Sequence, residues 1–144
     1  MQFKIDSSKG LHFVKLEPGE DILPELKRYC QQHNIKSGFI QGIGAVKEVT
    51  LGYFDLETKQ YLRNNIKINA EMLSCTGNIS KNKETGEYII HCHIILGDNE
   101  FRVIGGHLFE NTIISVTGEF IITESKEEIY RSLDEQFNLS LLKL

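Results

Sequence analysis

The chain has no tryptophan, two prolines and three cysteines among its 144 residues. Cys30, Cys75 and Cys92 are odd in number and show no CxxC spacing. A disulfide framework is therefore excluded as the basis of stability, and a reducing cytoplasm is the expected location. No run of 18 apolar residues occurs, and no basic segment leads into an apolar one at the start. A membrane-spanning helix and a secretory leader are both set aside on that ground. Positive charge is also scarce: 16 Lys and Arg stand against 20 Asp and Glu, a net charge of −4. A domain that grips nucleic acid mainly through its phosphates needs a basic face, and this balance argues against one. No P-loop, GxSxG or HExxH motif is present. "QGIGAV" contains GxG, but no third glycine and no helical pattern follow, so it reads as a tight turn between strands.

What the chain does have is the composition of an ordinary globular protein, 40% hydrophobic and 25% charged. Its length suits one domain, 1–144, and no linker, repeat or low-complexity segment divides it. "FKID" and "LHFVKLE" read as strands around the turn "SSKG". Ile22, Leu26, Tyr29, Cys30 and His33 then fall at i, i+4, i+7, i+8 and i+11, the stripe of an amphipathic helix. Glu20, Asp21 and Glu25 suit its positive end, Pro24 fits its first turn, and Gly38 follows its expected end.

From Phe39 onward the pattern is strand after strand. "AVKEVTLGYFD" places Val49, Leu51 and Tyr53 on one face and Glu48, Thr50 and Gly52 on the other. "LETK" turns into "QYLRNNIKI", and "NAEMLSCTGNIS" is a further extended run before the polar tip "KNKETGE". "YIIHCHIIL", the turn "GDNE" and "FRVIGG" form a hairpin rich in β-branched residues. In "TIISVTGEFIIT", Ile114, Val116, Phe120 and Ile122 alternate against Ser115, Thr117, Glu119 and Thr123. Ser125 and Glu128 have capping-box spacing, which predicts a short helix over "SKEEIYRSLDEQFN", and "LSLLKL" reads as a closing strand. The expected class is α+β: a largely antiparallel or mixed sheet of about seven strands with one main helix.

Three of the five histidines lie in "HCHIILGDNEFRVIGGHL". Alternate residues of a strand share a face, so His91 and His93 point the same way, about 6.6 Å apart along the strand. Cys92 faces the other side with Ile90, Ile94 and Leu96, the side free to bury against the helix. With the turn at "GDNE", His107 falls past the position opposite His91, and Gly105 and Gly106 supply the unusual backbone path that swings it back. Three neutral imidazoles make an open zinc-type site, although imidazole also suits Cu, Fe and Ni. The plain alternative is a half-buried face or a subunit contact. His12 and His33 read as ordinary structural histidines, and Cys75 and Cys92 as buried small hydrophobes. Glu71 interrupts an extended run and is the one residue expected to support a ligand or act as a base, with a solvated strand face as the simpler account.

Taken together, "GIGAVKEVTLGYFD", "EMLSCTGNIS", "HCHIILGD" and "VIGGHL", in that order, resemble the plant and prokaryote conserved (PPC) domain, from about Phe3 to Leu144. The resemblance implies a compact α+β homotrimer. Its plant members carry AT-hooks in nuclear proteins that bind AT-rich DNA, and stand-alone prokaryotic members carry a DNA-binding label by kinship. This chain has no RGRP-like hook and no basic tail, so the minor-groove element is missing. His91, His93 and His107 match the metal-ligand histidines of the metal-binding prokaryotic members, which makes a divalent transition metal, zinc first, the expected cofactor. Two functions follow. One is a trimeric, non-enzymatic, DNA-associated module with a structural or sensing metal. The alternative is a metal-dependent enzyme or small-molecule binder, since an open site of this kind lowers the pKa of bound water toward about 7. The first is preferred, because only Glu71 offers a general acid. The chain itself is expected to bind DNA weakly or through a partner, and not to engage membranes.

Overall fold

The computed structural model describes all residues, 1–144. The elements in order are β1 (Gln2–Asp6), β2 (Leu11–Leu16), α1 (Ile22–Gln32), β3 (Gly38–Asp55), β4 (Gln60–Asn82), β5 (Tyr88–Gly97), β6 (Val103–Glu124), β7 (Tyr130–Asp134) and β8 (Leu139–Lys143). Strand order is β1-β2-β6-β3-β4-β7-β8, and β5 pairs with both β4 and β6. Because β3 also pairs with both β4 and β6, the four longest strands are hydrogen-bonded in a closed cycle. All pairings are antiparallel except β4 with β7. The class is thus mixed-sheet α+β, with eight strands rather than about seven.

The helix forms where its apolar stripe requires. Ile22, Leu26, Tyr29 and Cys30 are fully buried, and each large aliphatic among them contributes about 2 kcal/mol by leaving water. α1 packs across β5 and β6. On the sheet side, Ile40, Val49, Met72, Cys75, Cys92, Ile94, Leu96, Leu108 and Ile114 complete the same core. The three cysteines are free and buried, as their count implied. Burial pushes the Cys30 thiol up to about 12, the state of an inert small hydrophobe. The helix ends at Asn34, which supplies the left-handed residue (φ 54°), so Gly38 is the first residue of β3 instead of a helix terminator.

Four local expectations are corrected. "QGIGAV" lies inside β3, where the register shifts between Gly42 and Gly44 and Gly44 takes φ 151°. The extra residue is on β4, where Met72 to Cys75 takes three steps against two on β3, so the glycines lie opposite a bulge and their strand runs on without turning back. Opposite this irregularity, two steps from Gly44 to Val46 on β3 face four from Ile114 to Gly118 on β6. That mismatch takes Val116 out of the buried row, leaving it 66% exposed. In the β3 segment Thr50 is buried as well as Val49, while Tyr53 is exposed, because Thr50 packs under the β6 turn of Asn111 and Thr112. The last correction is at Ser125–Asn138, which holds no helix. Ser125 closes a local turn with Glu127, and Ser37 receives the Ile129 N–H through its Oγ. The chain then runs as β7 beside β4 and folds back as β8 around Asn138 (φ 55°). The capping-box spacing is spent on this turn, and burial of Arg131 against β4 fixes the extended path.

Candidate metal centre

His91 and His93 project from the same face of β5, as the two-residue period requires, while Cys92 and Ile94 are 1% exposed on the other face. His107 stands directly opposite His93 in the β5–β6 ladder, closer than the position expected for it. The hairpin turn is the reason. Asp98 Oδ1 accepts from the Glu100 and Arg102 N–H groups, and Phe101 adopts φ 62°. This longer loop is centred on residue 100 and shifts the register. Gly105 and Gly106 are ordinary extended residues, and the backbone makes no detour at them. Their role is close approach: a Cβ at Gly105 would sit 2.6 Å from the Ile94 carbonyl oxygen, and one at Gly106 2.9 Å from that of Gly52.

The three imidazoles converge. Their candidate ligand atoms all lie within 4.8 Å of one another, and the Nε2 atoms of His91 and His93 are 3.3 Å apart. Ring centroids are 4.8 Å apart for His91 and His107 and 5.4 Å for His93 and His107. Aromatic packing fixes His107 on two sides: Tyr61 and Phe109 each lie 4.7 Å away, and the Tyr61 hydroxyl is 3.3 Å from Nδ1. Burial, with smaller contributions from Arg131 and His93, pushes His91 down to about 4. Burial likewise brings His107 to about 4, aided by His91, His93, Arg63 and Arg131. Both rings are therefore neutral at pH 7, each with one unprotonated ring nitrogen.

Behind His91 stands a residue the sequence did not single out. Arg131 is 6% exposed and donates through Nη2 to His91 Nδ1 at 2.9 Å. Its other bonds go to Ser80 Oγ, Asn78 Oδ1 and the Ser140 carbonyl. Since the guanidinium can only donate, the proton of neutral His91 sits on Nε2, directed at His93; an ion held by Nε2 would have to displace that proton. Glu71 is elsewhere. It pairs with Gly97, four residues along β5 from His93, a separation of about 13 Å along the strand. His12 and His33 lie together on the far side of the core, with His12 Nδ1 3.0 Å from the Tyr29 hydroxyl.

A family model matches residues 4–126 of the chain. The chain belongs to the Plants and Prokaryotes Conserved (PCC) domain family. Three crystal structures resemble this PCC domain along almost its whole length. One, from Bacteroides thetaiotaomicron and called "a putative dna binding protein", is 30% identical with a TM-score of 0.91, covering 99% of this chain and 96% of that one. A metal-containing protein from Archaeoglobus fulgidus is 29% identical, with a TM-score of 0.84 and coverage of 99% and 97%. A plant- and prokaryote-conserved protein from Pyrococcus horikoshii is 31% identical, with a TM-score of 0.84 and coverage of 99% and 95%. Among curated proteins, the bifunctional protein GlmU of Synechococcus sp. (strain JA-3-3Ab) is 29% identical over 115 residues, which is 79% of this chain and 17% of that protein. The PCC domain thus spans less than a fifth of the curated relatives it matches.

Proposed function

We propose that this PCC domain is a homotrimeric metal-binding module in which His91, His93 and His107 hold one divalent transition ion. The observation that carries this reading is the Nε2–Nε2 separation of 3.3 Å between His91 and His93. Two nitrogens bound tetrahedrally to zinc at about 2.05 Å would lie about 3.3 Å apart. The donor set also fits. Three imidazole rings, with no thiolate or carboxylate among them, suit zinc and the neighbouring borderline metals. When bound, the ion supplies a Lewis acid with a coordination position that the protein leaves open. This chain's own residues hold and orient it: Tyr61 and Phe109 seat His107, and Arg131 fixes His91.

Assembly is supported by an apolar surface on β2, β3, β4 and β6. Phe13, Ile43, Leu73, Val116 and Ile121 are 41–66% exposed. Two adjoining grooves run between them, Ile43 lining both. A patch of this kind suits contact with further copies of the chain. A DNA-associated role then falls to the assembly with a basic partner, because this chain carries no compensating positive excess.

A second reading, a small-molecule binder or metal-dependent enzyme, is favoured by the cavity beside His107, lined by Thr50, Arg63, Asn65 and Phe109 among others. Elemental analysis of untagged protein decides the shared premise. Near-stoichiometric metal is expected in wild type and none in a His91→Ala, His93→Ala double variant. A wild-type protein that stays empty after incubation with zinc, nickel and iron would overturn it. Zinc should also raise the melting temperature of wild type alone, as a ligand selective for the folded state must.

A further inference from the structure

The chain has four arginines, and they divide into two kinds. Arg28 pairs with Glu25, and Arg102 with Asp98 and Glu100. Arg63 and Arg131 have no carboxylate within ion-pair distance, and both flank the three histidines. Arg131 is buried with only neutral acceptors around it: a hydroxyl, an amide oxygen, a carbonyl and His91. Arg63 lies 3.8 Å over the face of Phe109, whose ring in turn packs on His107. Both guanidinium charges act on His107. A metal-bound histidine ordinarily passes its other N–H to a carboxylate or carbonyl, which offsets the charge of the ion. Here that place behind His91 is taken by a cation. A buried charge without a counterion is costly, and a dication beside it adds to the cost.

Resting on the metal reading above, we infer that the loaded centre is an oxyanion receptor. Its open position takes a small carboxylate- or phosphate-type ligand, held there by the uncompensated charges of Arg63 and Arg131. Three neutral imidazoles leave the two positive charges of the ion intact, and even displacement of the His91 proton removes only one. Two guanidinium charges then remain within reach and no acidic side chain touches any of the three histidines. Glu48 and Glu110 line the cavity beside His107, but neither pairs with Arg63 or Arg131. The nearest good compensation is an anion from outside, entering through that cavity past Arg63, Asn65 and Thr50. His93 is the exposed member of the three, so the ion is not sealed from solvent.

The test uses the full chain loaded with cobalt(II), whose visible spectrum reports its coordination. Acetate and inorganic phosphate are titrated separately, with neutral acetamide as control. Saturable spectral change is expected with an anion and none with acetamide, and the anion that saturates at lower concentration identifies the carboxylate or phosphate class. Arg131 holds β4, β5 and β8 together, so its loss can unfold the protein; exposed Arg63 is the deciding position. Arg63→Gln should weaken anion binding about tenfold, the effect of removing one partly screened charge. It should leave cobalt bound as tightly or more tightly, because a neighbouring cation has gone. Cobalt binding with no anion response, or an equal response in Arg63→Gln, overturns the inference and leaves the metal reading standing. Failure of wild type to give any cobalt spectrum overturns both.

Discussion

Gly105 carries no special backbone angle, yet nothing larger fits there. The β5 backbone passes so close that a Cβ would press on the Ile94 carbonyl oxygen at 2.6 Å. Gly105→Ala should therefore push β6 away from β5 two rungs from His93 and His107. Urea denaturation is expected to show a loss of about 2 kcal/mol, in the range of overpacking substitutions. Zinc affinity, measured by competition with a chromophoric chelator, should fall with it; an unchanged affinity would mean that the β5–β6 spacing does not set the site. That His91 and His93 share a face and that a hairpin returns His107 toward them could be read from the sequence, since alternation and a hairpin are local rules. Arg131, Arg63 and Tyr61 could not. Arg131 owes its position to Ser80, Asn78, His91 and Ser140, which come from three other strands, and no periodicity marks it.

At the level of elements, the contact between β2 and α1 has a pH dependence of its own. His12 is buried, with Nδ1 on the Tyr29 hydroxyl, Glu124 3.8 Å from Nε2 and His33 nearby. Burial lowers its pKa below the ordinary 6.5, against a raising effect from Glu124 and with His33 assisting. The unfolded chain therefore binds this proton more readily than the folded one. Stability from neutral His12 is complete above pH 6.5 and is lost as pH falls below it, until the lowered folded value is reached. The slope for one such group is at most about 1.4 kcal/mol per pH unit. Comparing wild type with His12→Asn by urea denaturation at several pH values between 7.5 and 5 isolates this part of the acid sensitivity. A variant that loses stability on acidification as steeply as wild type would show that His12 does not contribute. The helix itself was readable from its stripe. β8 was readable as a closing strand, but β7 was not, because capping-box spacing serves a helix start and a serine turn equally well.

For the whole molecule, two outcomes follow from surface and charge. The exposed apolar row from Phe13 to Leu73 should be covered by other copies of this chain, so light scattering at micromolar concentration is expected to give three times the 16.5 kDa chain mass. Val116→Glu would place a charge at the centre of that surface and should lower the mass toward one chain; a monomeric wild type sinks the assembly. Three chains at −4 each carry about −12, a field that repels a polyanion. Fluorescence anisotropy with an AT-rich duplex at about 0.15 M salt should accordingly show no micromolar binding. Tighter binding that weakens steeply with salt would mean that assembly gathers the scattered lysines and arginines into one basic face.

Local pattern determined the α1 helix, the strand-rich remainder, the absence of disulfides and the shared face of His91 and His93, because each rests on spacing within a few residues. Tertiary structure decided what spacing does not encode. The five-residue loop after Gly97 placed His107 opposite His93. The two extra residues of β6 opposite Gly44–Val46 sent Val116 outward, and parallel pairing with β4 drew β7 and Arg131 under His91. The loop is held by Asp98, a residue whose cap on Glu100 and Arg102 no spacing rule announces. The last two outcomes depend on contacts between residues tens of positions apart, whose closeness arises only once the long strands have closed on one another.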